Sequence, residues 1–145
     1  MNIRKNIETS VYFLIVLFTL LSCDKLDKNG KLDGNWQLTE WMQNSTGRVV
    51  ADKHDLLFYT IKLELIQFRD CKNGQSPYFA YFEYTDDNLI LGQVFQNTAN
   101  SDIPSTTEAL AQFGVTNDGK FKITKLTSSE MILQNDENTL SFRKY

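Results

Sequence analysis

Histidine is nearly missing from this chain: His54 stands alone, in the polar stretch Ala51-Asp52-Lys53-His54-Asp55. That excludes multi-histidine metal centres and the His-Glu-x-x-His arrangement, which places two imidazoles on one helix face. A Ser-His-Asp set built on His54 has no local motif behind it. Cysteine is almost as scarce, with Cys23 and Cys71 alone, too few for a disulfide framework or a cysteine-rich metal site. Lysine and arginine vanish from Asn73 to Gly119, a stretch that holds six acidic residues. With a formal net charge of −3, the chain lacks the basic face that nucleic-acid binding wants. The acidic stretch reads as a solubilising surface. Apolar runs of about 20 residues, the length of a membrane-spanning helix, are also missing. No metal, no other cofactor and no enzymatic activity are expected from this inventory. Asp86 and Asp87 sit in turn-like sequence, where side chains cap backbone. Only Glu40 falls on an inward phase, whereas glycosidase chemistry needs two carboxylates.

The longest apolar run, Val11 to Leu21, is broken only by Thr19 and follows Met1-Asn2-Ile3-Arg4-Lys5. Basic, then apolar, then small residues is the order of a secretory signal peptide. Its end, Leu20-Leu21-Ser22-Cys23, resembles the lipobox of bacterial lipoproteins, with Leu21 in place of the usual small residue. The resemblance implies cleavage before Cys23, with acyl chains on its thiol and on the new amine. Two or more chains anchor stably where one binds only marginally. Residues 1–22 are therefore expected to be a lipoprotein signal peptide, and 23–32 a lipidated cysteine with a flexible polar tether. The protein is expected to be exported and lipid-anchored to the bacterial cell envelope, at the outer membrane. Cys71 would then have no intrachain partner; a Cys23–Cys71 bridge is the competing account.

From Asp33 onward, a single domain over 33–145, apolar residues alternate instead of recurring at helical spacing. Trp36, Leu38 and Met42 mark a first strand, and Leu57, Tyr59, Ile61, Leu63 and Leu65 a second set. The phase then flips to Ile66 and Phe68, which predicts a bulge near Leu65. Tyr78 to Tyr84 is a third strand with five aromatics, and Leu89 to Phe95 a fourth. Phe121 and Ile123, Met131 to Leu133, and Leu140 to Phe142 complete the set. Asn117-Asp118-Gly119 and Asn135-Asp136-Glu137-Asn138 have hairpin-turn chemistry. Short strands at close spacing predict an all-β antiparallel meander, closed as a barrel or folded as a sandwich. One short helix is expected from Ser105, as N-cap of a Ser105–Glu108 capping box, to a stop at Gly114. Thr127-Ser128-Ser129-Glu130 matches the same box but precedes a strand pattern, so it reads as a turn.

Gly34-Asn35-Trp36, at the start of the first strand, resembles the Gly-x-Trp of lipocalins. With the lipobox and the meander, the chain from Leu32 to Tyr145 is similar to the lipocalin-like domain of small Bacteroidota lipoproteins. The resemblance implies an up-and-down, eight-stranded barrel on a lipid tether. It also implies that Trp36 closes one end, with Arg143 packed over it as a barrel-closing pair.

Two functions follow as expectations. In the first, an apolar or amphiphilic small molecule binds in the barrel without catalysis. Its lining would come from Trp36, Leu38, Tyr59, Ile61, Leu63, Tyr78, Phe82, Tyr84, Leu91 and Phe121. In the second, these side chains fill the barrel, which is then a solid envelope interaction module, an accessory or inhibitory subunit that contacts an envelope protein. Phe79 and Tyr81 fall on the opposite face of their strand, where the helix is expected to cover them.

Overall fold

A computed structural model describes residues 28–85 and 87–145 of the chain; the expected signal peptide and Cys23 lie outside them. Ten strands follow in order: β1 (Gly34–Gln43), β2 (Val49–Asp52), β3 (Leu57–Lys62), β4 (Leu65–Asp70), β5 (Tyr78–Thr85), β6 (Asn88–Asn97), β7 (Asp102–Ser105), β8 (Lys120–Leu126), β9 (Glu130–Gln134) and β10 (Asn138–Lys144). All pairings between neighbours are antiparallel, and β10 pairs back onto β1, from Trp36↔Lys144 to Gln43↔Asn138. Eight strands, β1, β3, β4, β5, β6, β8, β9 and β10, close the ring. The short β2 and β7 extend two of its staves: β1 pairs with β3 at one end and β2 at the other. β6 likewise pairs with β8 and then β7. Closure removes the exposed sheet edges that would otherwise recruit other chains. The expected eight-stranded, lipocalin-like meander is therefore the fold.

Alternation along each strand puts one set of side chains inside, where Trp36, Tyr59, Phe68, Leu89, Met131, Leu133 and Leu140 are fully buried. Leu32 is equally buried, on a 3₁₀ turn, Gly30–Leu32, and its carbonyl accepts from the Trp36 indole N–H at 2.8 Å. The folded domain thus begins before Gly34, and Leu32 belongs to the core instead of the expected flexible tether. This 3₁₀ turn and Trp36 close one end of the barrel.

The expected bulge near Leu65 is a hairpin. Lys62 pairs with Leu65, so Leu63-Glu64 alone makes the turn between β3 and β4. A two-residue turn reverses the chain, and this produces the phase flip that a bulge would also give. Leu63 takes a left-handed backbone at φ 57° and is 44% exposed, so it does not line the interior as expected. True register shifts occur at Leu38/Glu40, Ala80/Phe82 and Ile123/Lys125. Thr127 to Glu130 is the β8–β9 turn, closed by Thr127 N–H to the Glu130 carbonyl at 2.8 Å.

The expected helix is a 3₁₀ segment, Thr107–Phe113, capped by Gly114 at φ 84°. Its N-cap is Thr106, without a side-chain cap bond; Ser105 closes β7 instead. The segment does not lie over Phe79 and Tyr81. It tucks Leu110 and Phe113 into the barrel mouth opposite Trp36, both buried. Phe113 packs against Phe68 and Tyr78, with ring centroids 5.6 and 6.3 Å away.

Candidate functional site

The interior is where the sequence places a ligand, and its described side chains pack into one apolar cluster. Trp36, Leu38, Tyr59, Ile61, Phe82, Leu91 and Phe121 are buried members of one apolar cluster. Tyr59 lies in its middle, 4.6 Å from the Phe68 ring and 4.7 Å from Phe142. Its hydroxyl donates to the Phe113 carbonyl at 2.6 Å, and burial pushes its pKa above the usual phenol range. It is a neutral donor locked to the plug. Tyr78 is half-buried at the mouth against Phe113.

The two remaining lining candidates, Leu63 and Tyr84, converge elsewhere, beside Phe82 and Leu91. β4 pairs with β5 only up to Leu65↔Tyr81, whereas β5 runs on to Thr85. The last link is the Phe82 N–H to the Glu64 carbonyl at 3.1 Å. Beyond it the two strands part and leave a groove of about 590 Å³. Leu63, Tyr81, Phe82, Tyr84, Ile90 and Leu91 supply its apolar surface; Lys28, Asn29, Glu64 and Glu83 supply the polar groups. Four expected lining residues, Leu63, Phe82, Tyr84 and Leu91, therefore meet here, on the rim of the closed end.

Local sequence explains the opening. On β6 the register jumps from Leu91↔Phe82 to Val94↔Ala80, so Gly92 and Gln93 both oppose Tyr81. Gly92 adds no side chain, and a Cβ there would meet nothing nearer than the Tyr81 carbonyl at 3.8 Å. The far wall is fixed by Asn29, whose side-chain amide donates to the Leu63 carbonyl at 2.8 Å and to Asp33 Oδ1 at 2.6 Å. The Lys28 ammonium pairs with Glu64 across the rim and holds that carboxyl below its usual range. Sequence alternation could find Phe82, Tyr84 and Leu91. It missed Lys28, Asn29, Glu64 and Gly92, because their roles depend on where two strands part.

The closing pair is Trp36 with Lys144, not Arg143. Lys144 Nζ stands 4.7 Å from the Trp36 ring centroid and donates to the Lys31 carbonyl at 3.0 Å. Arg143 pairs with Gln37 on the outer face, where Nε and Nη2 donate to Gln37 Oε1 at 2.9 and 2.7 Å. A one-residue step along a strand changes face, and Lys144 shares the parity of Leu140 and Phe142.

Catalytic groupings do not assemble among the described residues. No cluster of three or more His, Cys, Asp or Glu is placed to hold a metal ion. His54 is exposed, and its backbone N–H donates to Asp52 Oδ1 at 2.7 Å in a turn cap. Glu40 follows the Leu38 register shift and is exposed, off the inward phase that alternation predicts. Cys71 is a free, exposed thiol.

A family model described as a lipocalin-like domain matches residues 16–145. Among solved structures, a lipocalin-like protein from Bacteroides uniformis is 21% identical with a TM-score of 0.56, over 80% of this chain and 100% of its own. An uncharacterized protein from Bacteroides eggerthii is 27% identical with a TM-score of 0.51, over 78% of this chain and 98% of its own. A protein from Burkholderia xenovorans is 19% identical with a TM-score of 0.53, over 78% and 82%. No curated protein matches the chain.

Proposed function

The chain belongs to the lipocalin-like domain family, and from that premise we propose that it is an exported binding lipoprotein of the bacterial cell envelope. It is acylated at Cys23, sits at the outer membrane, and holds an amphiphilic small molecule without chemical conversion. A lipocalin-like barrel generally serves binding, which supports a ligand-holding role. One observation supports a rim site over an interior one: the centre is packed with aromatics, while the groove of about 590 Å³ is open. That volume falls within the usual range of about 300–1,000 Å³ for small-molecule sites. Apolar atoms of the ligand would lie on Tyr81, Ile90 and Leu91, and its polar end would meet Glu83, Asn29 and the Lys28–Glu64 pair.

Gly92→Leu tests the site. Gly92 has room for a side chain and no left-handed backbone, so the variant should fold while its side chain fills the groove. Native mass spectrometry of the protein purified from membranes should show a co-purified small molecule that the variant loses. A ligand kept by the variant would move the site elsewhere. The anchor has its own test: Cys23→Ala should abolish incorporation of labelled palmitate.

A second reading, a solid interaction module, draws on the outer face. Phe79 and Phe95 stack there with centroids 5.5 Å apart and planes 7° apart, and Tyr81 lies 6.1 Å from Phe95. With no helix over them, these rings offer an aromatic patch of the kind that anchors protein partners. Loss of an envelope partner on Phe95→Ser, with the groove ligand retained, would favour this reading.

A further inference from the structure

We propose that the closed end of the barrel is a membrane-contacting surface, with Leu63 at the tip of the β3–β4 hairpin inserted at the lipid interface. The inference rests on the anchored reading above, and its test separates the two.

Leu63 is a misfit by every local rule. A turn residue at φ 57° is ordinarily Gly, Asn or Asp, because a Cβ crowds the backbone there. A Leu so placed keeps 44% of its surface exposed, so packing does not compensate the strain. Leu56, at φ 55° and 39% exposed, carries the same strain at the mouth, so what singles Leu63 out is its place at the end where the tether emerges.

Three observations identify lipid as what Leu63 meets. The first is the tether. Lys28 lies on the rim of this end, against Glu64 beside Leu63, and the stretch from Cys23 to Lys28 reaches at most roughly 18 Å. The ten residues of β1 span about 30 Å, so the acylated cysteine keeps the closed end at the bilayer and the plugged mouth away from it. The second is charge. Lys31, Lys62 and Lys144 lie at this end, and none belongs to the four ion pairs among the described residues. Of the acids at this end, Glu64 and Asp87 are paired with Lys28 and Lys122, and Glu83 lines the groove. The mouth carries Asp52, Asp136 and Glu137 against Arg48 and Lys53, with Asp55 paired to Lys72. Anionic headgroups attract the three lysines and repel the acidic excess at the mouth. The third is composition: Tyr81 and Ile90, 46% and 36% exposed, flank the groove on the same end, and tyrosine favours the boundary between water and hydrocarbon. Val49, Val50 and Leu56 are also exposed, but they lie at the acidic mouth.

The test uses the acylated protein on vesicles of phosphatidylethanolamine and phosphatidylglycerol, in a Cys71→Ser background. A fluorophore is attached to Leu63→Cys or, at the far end, to Val50→Cys, and quenched by nitroxide-labelled lipid. Quenching at position 63 should exceed that at position 50 about fivefold or more. Lys31→Glu with Lys62→Glu should cut the excess by at least half, as should high salt, which screens surface charge. Leu63→Gly should raise the melting temperature, because glycine relieves the strained backbone. The same change should weaken binding of residues 24–145 to these vesicles about fivefold, from the apolar surface lost. That piece contains every strand pairing of the ring. Equal quenching at the two positions on anchored protein overturns the contact surface and leaves the anchor standing. Failure of the anchor itself would appear as protein that never floats with the vesicles.

Discussion

Tyr59 donates its hydroxyl to the Phe113 carbonyl at 2.6 Å, joining the wall of the barrel to the segment that plugs its mouth. The two rings thereby occupy the space that a ligand would need. Tyr59→Phe leaves that carbonyl unpaired in an apolar surround and should lower stability by about 1–3 kcal/mol. Phe113→Ala should lower it by about 3–5 kcal/mol and leave an apolar void. A dry cavity of that kind takes up benzene or xenon. The variant should therefore be stabilised by benzene in a thermal melt while the native protein is not. Equal stabilisation of both would show a hollow interior.

Gly114 and Gly30 separate backbone strain from packing. Both have positive φ, 84° and 58°, but a Cβ at Gly114 would lie 2.7 Å from Leu140 Cδ2, while one at Gly30 meets nothing within 4 Å. Gly30→Ala should therefore lose only the left-handed penalty, about 1–2 kcal/mol. Gly114→Ala should lose that and more, since Leu140 and Trp41 must shift under the plug. Denaturant midpoints compare them directly, and equal losses would mean that the plug yields freely.

Much of the barrel was legible because alternation and turn chemistry are local. The faces of Tyr59, Ile61, Phe82 and Leu91, the Thr127–Glu130 turn and the stop at Gly114 all follow from period and residue type. The Leu63-Glu64 turn escaped because it carries no glycine or asparagine, so only its phase flip showed. The plug escaped for another reason: an apolar segment must cover something, but sequence does not say whether that is the outside of β5 or the barrel mouth. The groove depends on two strands parting beyond Leu65, a long-range feature with no local signal. Lys144 is different, since its parity with Phe142 pointed inward, and the family pattern drew attention to Arg143 instead.

The Asp55–Lys72 pair, 2.8 Å apart, ties the turn before β3 to the one after β4. Its hydrogen bond to Lys72 holds the Asp55 carboxyl below the ordinary 3.8, and Asp55 in turn raises Lys72 above 10.5. A depressed acid contributes stability that is present above 3.8 and lost as pH falls through its lower folded value. A raised amine contributes below 10.5 and loses its part as pH rises through its higher folded value. The pair therefore acts across the neutral range. Lys72→Met should return Asp55 toward 3.8 in an NMR titration; an unmoved Asp55 would show that its turn, not Lys72, sets the value.

Lys144 and Arg143 make opposite predictions for the two ends of one idea. Lys144 lies over the Trp36 ring, where a cation–π contact contributes about 0.5–1 kcal/mol near the surface. Lys144→Met keeps the aliphatic cover but removes the charge, so the Trp36 emission should shift with only a small loss of stability. Trp41→Phe is the background for that measurement, since it leaves Trp36 as the single indole. Arg143→Met acts on the other face: it strips both donors from the Oε1 of Gln37, a residue only 4% exposed. It should therefore lower stability by about 1–3 kcal/mol and leave the Trp36 emission unchanged. If the emission follows Arg143 and ignores Lys144, the register of β1 on β10 is off by one residue.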